Sequence, residues 1–209
     1  HSGALTFPDM LRLAPGVNVA QVDAAQSAVS VRGFNDTFSP KLLVLMDGRS
    51  VYTPLFSGTF WQAQDTMPED LERIEVIRGP GSTVWGANAV NGVINLVSKP
   101  ASETQGTLVT GGAGSSHVAA GAVRYGGKLD SRTFFRIYGK YDEWSDSQLV
   151  GGGDANDAWT KRQAGFRLDR DPTAADRLTL QGDLYSLSEN QMSPQVVLPQ
   201  FRQPAPATG

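Results

Sequence analysis

The centre of residues Ile74–Pro100 is rich in glycine and small polar residues, and its sequence IEVIRGPGSTVWGANAVNGVINLVSKP raises the first chemical hypothesis about this chain. Glycine-rich loops between a strand and a helix bind phosphate through their backbone N–H groups. A loop of the nucleoside triphosphate-binding type needs a lysine directly after its last glycine, but Ala87 and Asn88 follow Gly86. A dinucleotide-binding loop needs a third glycine at position 84, where valine stands. Both nucleotide-binding hypotheses therefore fail.

Cysteine is absent from the chain and histidine is scarce, and both are common catalytic side chains. The absence of cysteine removes disulfides, thiolate metal sites and cysteine nucleophiles, and the only histidines are His1 and His117. The loop Gly151–Asp157 offers oxygen ligands for calcium but lacks the glycine and the distal glutamate of a calcium loop, so a flexible loop is favoured. We expect no enzymatic activity, no metal site and no cofactor.

Charge and hydropathy limit the partners. The net charge is -3 and no run of lysine or arginine stands out, which argues against nucleic acid. No apolar run approaches the roughly 20 residues of a membrane-spanning helix, so contact with a bilayer would require a β-barrel or the membrane surface. The chain begins without methionine or a signal peptide and ends in PAPATG, and we expect both ends to be cut from a longer protein.

The first hundred residues are typical of a compact mixed α/β unit. Thr6 is expected to cap a short helix that carries Pro8 in its first turn and ends at Pro15-Gly16. Asp47-Gly48 is the strongest hairpin signal in the chain. Strands are predicted at residues 17–21, 28–32, 42–46, 74–77 and 93–97, with 74–77 buried.

Three further local signals complete this half. Pro68 opens a helical turn in which Glu69 and Asp70 complement the helix dipole. Ser82 is expected to cap one helical turn that extends through residue 87. Asn91-Gly92 is predicted to form a tight turn before the last strand.

Beyond residue 100, apolar and polar residues alternate with period two. In Thr133–Asp142 the odd positions from 135 to 141 are apolar, aromatic or glycine, and the even positions include Arg136 and Lys140. Similar segments lie at 104–112, 117–127, 159–169 and 177–185, which makes about five strands. Each is close to the roughly 9 to 11 residues of a tilted transmembrane strand, with one face toward lipid and one toward water. A soluble antiparallel sheet or sandwich fits the same periodicity.

The ordered motifs of this chain resemble those of TonB-dependent outer-membrane receptors. The motifs are LAPGV at 13–17, VSVRGF at 29–34, the strand and turn at 42–48, and the segment at 74–100. The resemblance implies an α+β plug (small mixed sheet with short helices) followed by antiparallel transmembrane β-strands of an incomplete 22-stranded barrel. It assigns residues 1–100 to a plug with a truncated N-terminus, 101–190 to about five N-terminal barrel strands, and 191–209 to a proline-rich loop or truncated end.

The resemblance also implies a function and its partners. We expect energy-coupled uptake of a scarce ligand, a ferric siderophore in the first instance, in the outer membrane of a Gram-negative bacterium. The alternatives are a receptor for cobalamin, haem or an oligosaccharide, and a soluble β-rich binding or adhesion module. The implied partners are the TonB-ExbB-ExbD complex, through a segment that precedes His1, outer-membrane lipid and a small-molecule ligand such as a metal chelate. The open sheet edges of the segment favour self-association.

The resemblance implies roles for particular residues. Ligand contacts come from apical plug loops, where the candidates are Gln26, Asn35, Tyr52, Phe56, Ser57 and Trp61. Aromatic residues in these loops would stack on a ligand, or pack the plug against the barrel. Arg32 and Arg78 are expected to anchor the plug on barrel glutamates, or to be solvated strand-end arginines. Because those glutamates would lie beyond Gly209, the two arginines are predicted to be unpaired or paired with substitutes.

Overall fold

The computed structural model of the chain describes residues 3–33, 36, 38–55, 57–173 and 176–190. The predicted proline-rich end at 191–209 lies outside them. The helices are α1 (Phe7–Leu11) and α2 (Ser82–Trp85). The strands of the first half are β1 (Val17–Gln21), β2 (Ser27–Val31), β3 (Leu42–Met46), β4 (Arg49–Ser50), β5 (Tyr52–Thr53), β6 (Gly58–Thr59), β7 (Leu71–Arg78) and β8 (Gly92–Ser98). Within the described ranges, no helix has the length and apolar character to cross a membrane.

The core of the first half is a mixed sheet with the strand order β4-β3-β8-β7. Strand β3 runs parallel to β8, and the other neighbours are antiparallel. The apolar residues of β3 and β8 are buried on both faces: one face packs against α1 and the β1-β2 hairpin, and the other forms a smaller cluster with Ala89. Asp47 and Gly48 have φ values of 49° and 79°, so the β3-β4 turn has the left-handed geometry that the Asp-Gly pair predicts.

Thr6 and Ser82 both lie near helix N-termini but have different roles. The Thr6 hydroxyl accepts a hydrogen bond from the Asp9 N–H at 3.3 Å, which confirms it as the cap of α1. The prediction for Ser82 is wrong, because Gly81 occupies the cap position and Ser82 is already helical. Its hydroxyl instead donates to the Ala89 carbonyl at 3.0 Å, which ties α2 to the turn that follows it.

The strands on either side of α2 also differ in part from prediction. Strand β7 forms as expected, but Ile77 is 37% exposed because β7 is the edge strand of the sheet. Gly92 is the first residue of β8 rather than part of a tight turn. The non-glycine residue with left-handed geometry in this connection is Asn88, with a φ of 72°.

The second half is a five-stranded antiparallel sheet in sequential order, which we call the wall. Its strands are β9 (Gly106–Gly112), β10 (His117–Asp130), β11 (Thr133–Trp144), β12 (Trp159–Arg170) and β13 (Leu178–Glu189). The turn at 131–132 lies at one end, and the longer loop 145–158 lies at the other. The predicted alternation is confirmed. The apolar side chains of the wall strands are exposed on the face that we call the outer face, where Leu184 is 81% and Leu180 58% exposed.

The first half packs against the inner face of the wall. A 3-10 turn at Ala101–Glu103 leads from β8 into β9 and contacts β10, β11 and β12. Gly126 of β10 makes this close approach possible, because a Cβ there would lie 2.0 Å from the Thr104 carbonyl oxygen. The polar face of the wall was expected to meet water, and in the described residues it meets the packed N-terminal half instead.

Candidate functional site: the interface between the N-terminal half and the wall

The inner face of the wall is strongly charged. Period-two alternation turns the following buried or nearly buried side chains of β10, β11 and β12 toward the N-terminal half: Arg124, Arg136, Lys140, Asp142, Lys161, Arg167 and Asp169. Arg136 lies directly opposite Arg167 in the strand register. Like charges at such positions destabilise a sheet, so this face requires carboxylates from outside it.

Asp70 supplies the first of these carboxylates, at what we call the arginine site (Asp70, Arg124 and Arg136). Asp70 is fully buried, and the Arg124 guanidinium donates a short hydrogen bond to its Oδ1. Arg136 Nε lies 3.6 Å from Oδ2. The helical turn predicted at Pro68 is present as the 3-10 turn Pro68–Asp70, with Glu69 and Asp70 in its first turn, and it also presents the Asp70 carboxylate to two wall strands.

Asp65 supplies the second carboxylate, at what we call the lysine site (Asp65, Lys140 and Lys161). Asp65 Oδ2 lies 2.7 Å from Lys140 Nζ and 3.6 Å from Lys161 Nζ. Lys161 also donates to the Gln62 carbonyl at 2.8 Å, and the Gln163 amide donates to the Asp65 carbonyl at 2.9 Å. Residues 62–65 are thus bonded to both β11 and β12.

Asp47 supplies the third carboxylate, at the end of β3. It accepts hydrogen bonds from the N–H of Ser98 at 2.8 Å and from its hydroxyl at 2.7 Å, which joins the ends of β3 and β8. Arg167 NH1 lies 3.7 Å from Asp47 Oδ2 and donates to Ser98 Oγ at 2.7 Å. Asp169 neutralises the same guanidinium at 2.8 Å and accepts the Ala101 N–H at 2.6 Å.

A separate contact joins the loop 145–158 to residues 22–26. Asp157 Oδ2 accepts the Ala24 N–H at 2.8 Å, and Oδ1 accepts the Ser147 N–H at 2.7 Å. Burial alone would raise the pKa of Asp157, but these backbone donors outweigh it and lower the pKa below its ordinary value. Trp159 Nε1 donates to the Ala24 carbonyl at 2.8 Å, and its ring stacks on Trp144 with centroids 5.8 Å apart.

The predicted ligand residues do not form one cluster. Tyr52 pairs with Thr59 in the β5-β6 hairpin, and Ser57 is exposed in its turn. Gln26 is half-buried in the turn before β2, where its carbonyl accepts the Val22 N–H. Trp61 is 5% exposed and packs in the core of the N-terminal half. Its ring also borders a cleft of about 70 Å³ shared with Trp144, Trp159 and α1.

Asn35 and Phe56 lie outside the described residues, and ligand contact by the predicted set stays a prediction. Arg32 and Arg78 stay predicted anchors as well. The Arg78 side chain lies against Gly16, and a Cβ added at Gly16 would be 2.9 Å from Arg78 Nη1. A Cβ added at Gly79 would be 3.4 Å from Arg32 Nη1. Among the described residues, neither arginine has a carboxylate within 4.0 Å.

Comparison with known proteins identifies the two halves. The family model "TonB-dependent Receptor Plug Domain" matches residues 1–93. The "Vitamin B12 transporter BtuB" of Vibrio vulnificus (strain CMCP6) is 34% identical over 115 residues, which are 54% of this chain and 18% of that protein. The protein of the same name from Vibrio cholerae serotype O1 (strain M66-2) is 37% identical over the same length and the same shares.

Two solved structures share the fold across both halves. The "Copper transporter OprC" superposes with a TM-score of 0.70 at 19% identity, covering 90% of this chain and 29% of its own. The ferric yersiniabactin uptake receptor FyuA from Yersinia pestis gives 0.70 at 18% identity, covering 89% and 29%. The N-terminal half therefore matches a plug domain, and the wall has the fold of the corresponding strands of these two proteins.

A plug seated on antiparallel wall strands defines the class of plug-and-barrel receptors. Residues 1–93 are a plug domain of the TonB-dependent receptors, a family of Gram-negative outer-membrane proteins. The chain matches 18% of the length of the curated relatives, and its five described wall strands form only part of a barrel.

Proposed function

We propose that the receptor carrying this segment takes up a scarce ligand across the outer membrane, driven by the TonB-ExbB-ExbD complex, and that the ligand is a ferric siderophore. The observation that carries the proposal is the way the plug is seated. Asp47, Asp65 and Asp70 make buried or nearly buried ion pairs with the wall. Such pairs fix a position specifically but stabilise it less than an apolar interface of the same size. A plug held in this way blocks the lumen at rest and is released by force.

The ligand would meet the apical side, where the loop 145–158 contacts residues 22–26. Trp61, Trp144 and Trp159 border the cleft on this side, and aromatic rings bind planar groups such as the chelating rings of siderophores. Cobalamin is the second candidate, because the relatives that are 34% and 37% identical are named vitamin B12 transporters.

The test is uptake by the full-length receptor in a Gram-negative strain that lacks other receptors for the ligands used. A panel of radiolabelled ferric siderophores and cyanocobalamin is offered to cells with and without TonB. We expect uptake of a ferric siderophore that is lost without TonB. Uptake of cyanocobalamin alone would favour the second candidate, and uptake that persists without TonB would contradict energy coupling.

A further inference from the structure

The inner face of the wall carries more positive than negative charge. On β10, β11 and β12, the described charged side chains that contact the plug side are five cations and two carboxylates, as named above. Uncompensated buried charge is strongly unfavourable, and the plug carboxylates offset it only while the plug is in place. A displaced plug therefore leaves behind a cationic surface.

The lysine site has the geometry of an oxyanion site. The ammonium groups of Lys140 and Lys161 come from different strands and converge on one oxygen, Asp65 Oδ2. Their side chains are 8% and 3% exposed, so both are largely removed from water. Each ammonium has three donors, and Lys161 uses one of them on the Gln62 carbonyl. The Gln163 amide lies beside them, bonded to the Asp65 backbone.

The two parts of this site belong to different bodies. The lysines and Gln163 are fixed in the hydrogen-bonded wall, whereas Asp65 lies in a plug segment between β6 and the 3-10 turn. Movement of that segment removes the carboxylate and leaves both ammonium groups in place. Asp142 stays near Lys140, at 3.4 Å, and neutralises only one of the two charges.

We propose that Lys140 and Lys161 are an anion-binding site of the wall, which Asp65 occupies while the plug is seated. An oxyanion group of the transported ligand, such as a carboxylate, phosphate or catecholate, takes that place when the plug yields. This inference rests on the proposed uptake function and specifies its ligand as anionic. The arginine site, nearer the opposite end of β11, offers a second position of the same kind along the wall.

The test replaces the plug carboxylate and offers a free anion. Asp65→Asn keeps the shape of the side chain and leaves both lysines without their shared carboxylate. The full-length variant is purified in a non-ionic detergent, and its melting temperature is followed in potassium phosphate and in potassium chloride of equal ionic strength. We expect phosphate to raise the melting temperature of Asp65→Asn in a saturable manner and to leave the wild type unchanged relative to chloride.

Two further variants locate the effect. In Asp65→Asn/Lys140→Gln/Lys161→Gln, both ammonium charges are gone. The phosphate concentration that gives half of the melting-temperature shift should therefore be at least about tenfold higher than in Asp65→Asn. Asp65→Asn/Arg162→Gln is the matched control, since Arg162 adjoins Lys161 but is exposed on the opposite face of β12, and it should keep the effect. An equal response of wild type and Asp65→Asn, or an effect that survives removal of both lysines, would overturn the proposal.

A second measurement needs no change at Asp65. Phosphate should compete with this carboxylate in the wild type and speed hydrogen exchange of residues 61–66 relative to chloride, but not in Lys140→Gln/Lys161→Gln. Exchange that is the same in both salts would count against the site. Neither measurement involves transport, so their failure leaves the uptake proposal standing. A phosphate effect without any ligand uptake would instead retain the site and refute the proposed function.

Discussion

Asp70→Asn is the substitution expected to disturb plug seating most. It removes the charge that two wall arginines share, at a position with no exposure to solvent. At 3.6 Å and an effective dielectric constant of about 20, one such charge pair is worth about 5 kcal/mol before desolvation. Removing one partner of a buried pair costs about 3–5 kcal/mol, because the other charges stay buried and uncompensated. We expect the free energy of plug unfolding to fall by that amount.

The assay is urea unfolding of the full-length receptor, followed by tryptophan fluorescence from the plug residue Trp61 after Trp85 and the barrel tryptophans have been replaced by phenylalanine. Glu69→Gln is the matched control, because Glu69 adjoins Asp70 in the same turn but its side chain is exposed. It should shift stability by no more than about 0.5 kcal/mol. Replacing Asp70, Arg124 and Arg136 together by apolar residues of similar volume should recover most of the loss. The reasoning is refuted if Asp70→Asn and Glu69→Gln unfold at the same urea concentration.

Three other predictions follow from contacts elsewhere. Hydrogen bonds lower the pKa of Asp157 in the folded state. Its contact with Ala24 therefore stabilises the protein at pH values above the ordinary pKa of 3.8, and this stabilisation is lost as the pH falls through the lowered pKa. Protection of residues 22–26 from hydrogen exchange should decline in that acid range, and Asp157→Asn should abolish the pH dependence. Gly126→Ala should destabilise the receptor by about 2 kcal/mol or more, since its Cβ would meet the Thr104 carbonyl, whereas Gly112→Ala, in open space, should unfold like the wild type. Thr6→Ala should lower plug stability by about 1 kcal/mol through loss of the α1 cap, with Thr6→Ser close to wild type in the same urea titration.

Local signals in the sequence predicted most of the fold. Asp47-Gly48 sets its own turn, because both residues adopt positive φ at little cost, and the neighbouring strands form on either side. The wall strands could be predicted because the alternation of apolar and polar residues is a property of each strand alone. The predicted cap role of Ser82 and the predicted burial of Ile77 are wrong. The Ser82 hydroxyl bonds to Ala89, which lies beyond the helix, and Ile77 is exposed because β7 is an edge strand. Neither feature can be predicted from the local sequence.

The interface was harder to predict than the elements that form it. Asp65 is an isolated acidic residue and Asp70 lies beside Glu69, and nothing in their local sequence indicates that cations from β10, β11 and β12 will contact them. The available signal was on the wall, where lysine and arginine occupy the inward parity of three successive strands. An excess of positive charge on a buried face requires carboxylates from the part of the protein that packs against it.

Cross-linking tests the central claim, that transport requires the plug to leave the wall. Asp65→Cys/Lys140→Cys, in a receptor without other cysteines, is joined by a short bis-methanethiosulfonate linker that spans the plug and β11. Tyr141→Cys/Arg162→Cys is the control, because these residues are register partners within the wall on the face opposite the plug. We predict that the plug-to-wall linker abolishes TonB-dependent uptake, preserves ligand binding and is reversed by reductant, while the control linker changes none of these. Uptake at an undiminished rate with the plug linked to the wall would contradict the account.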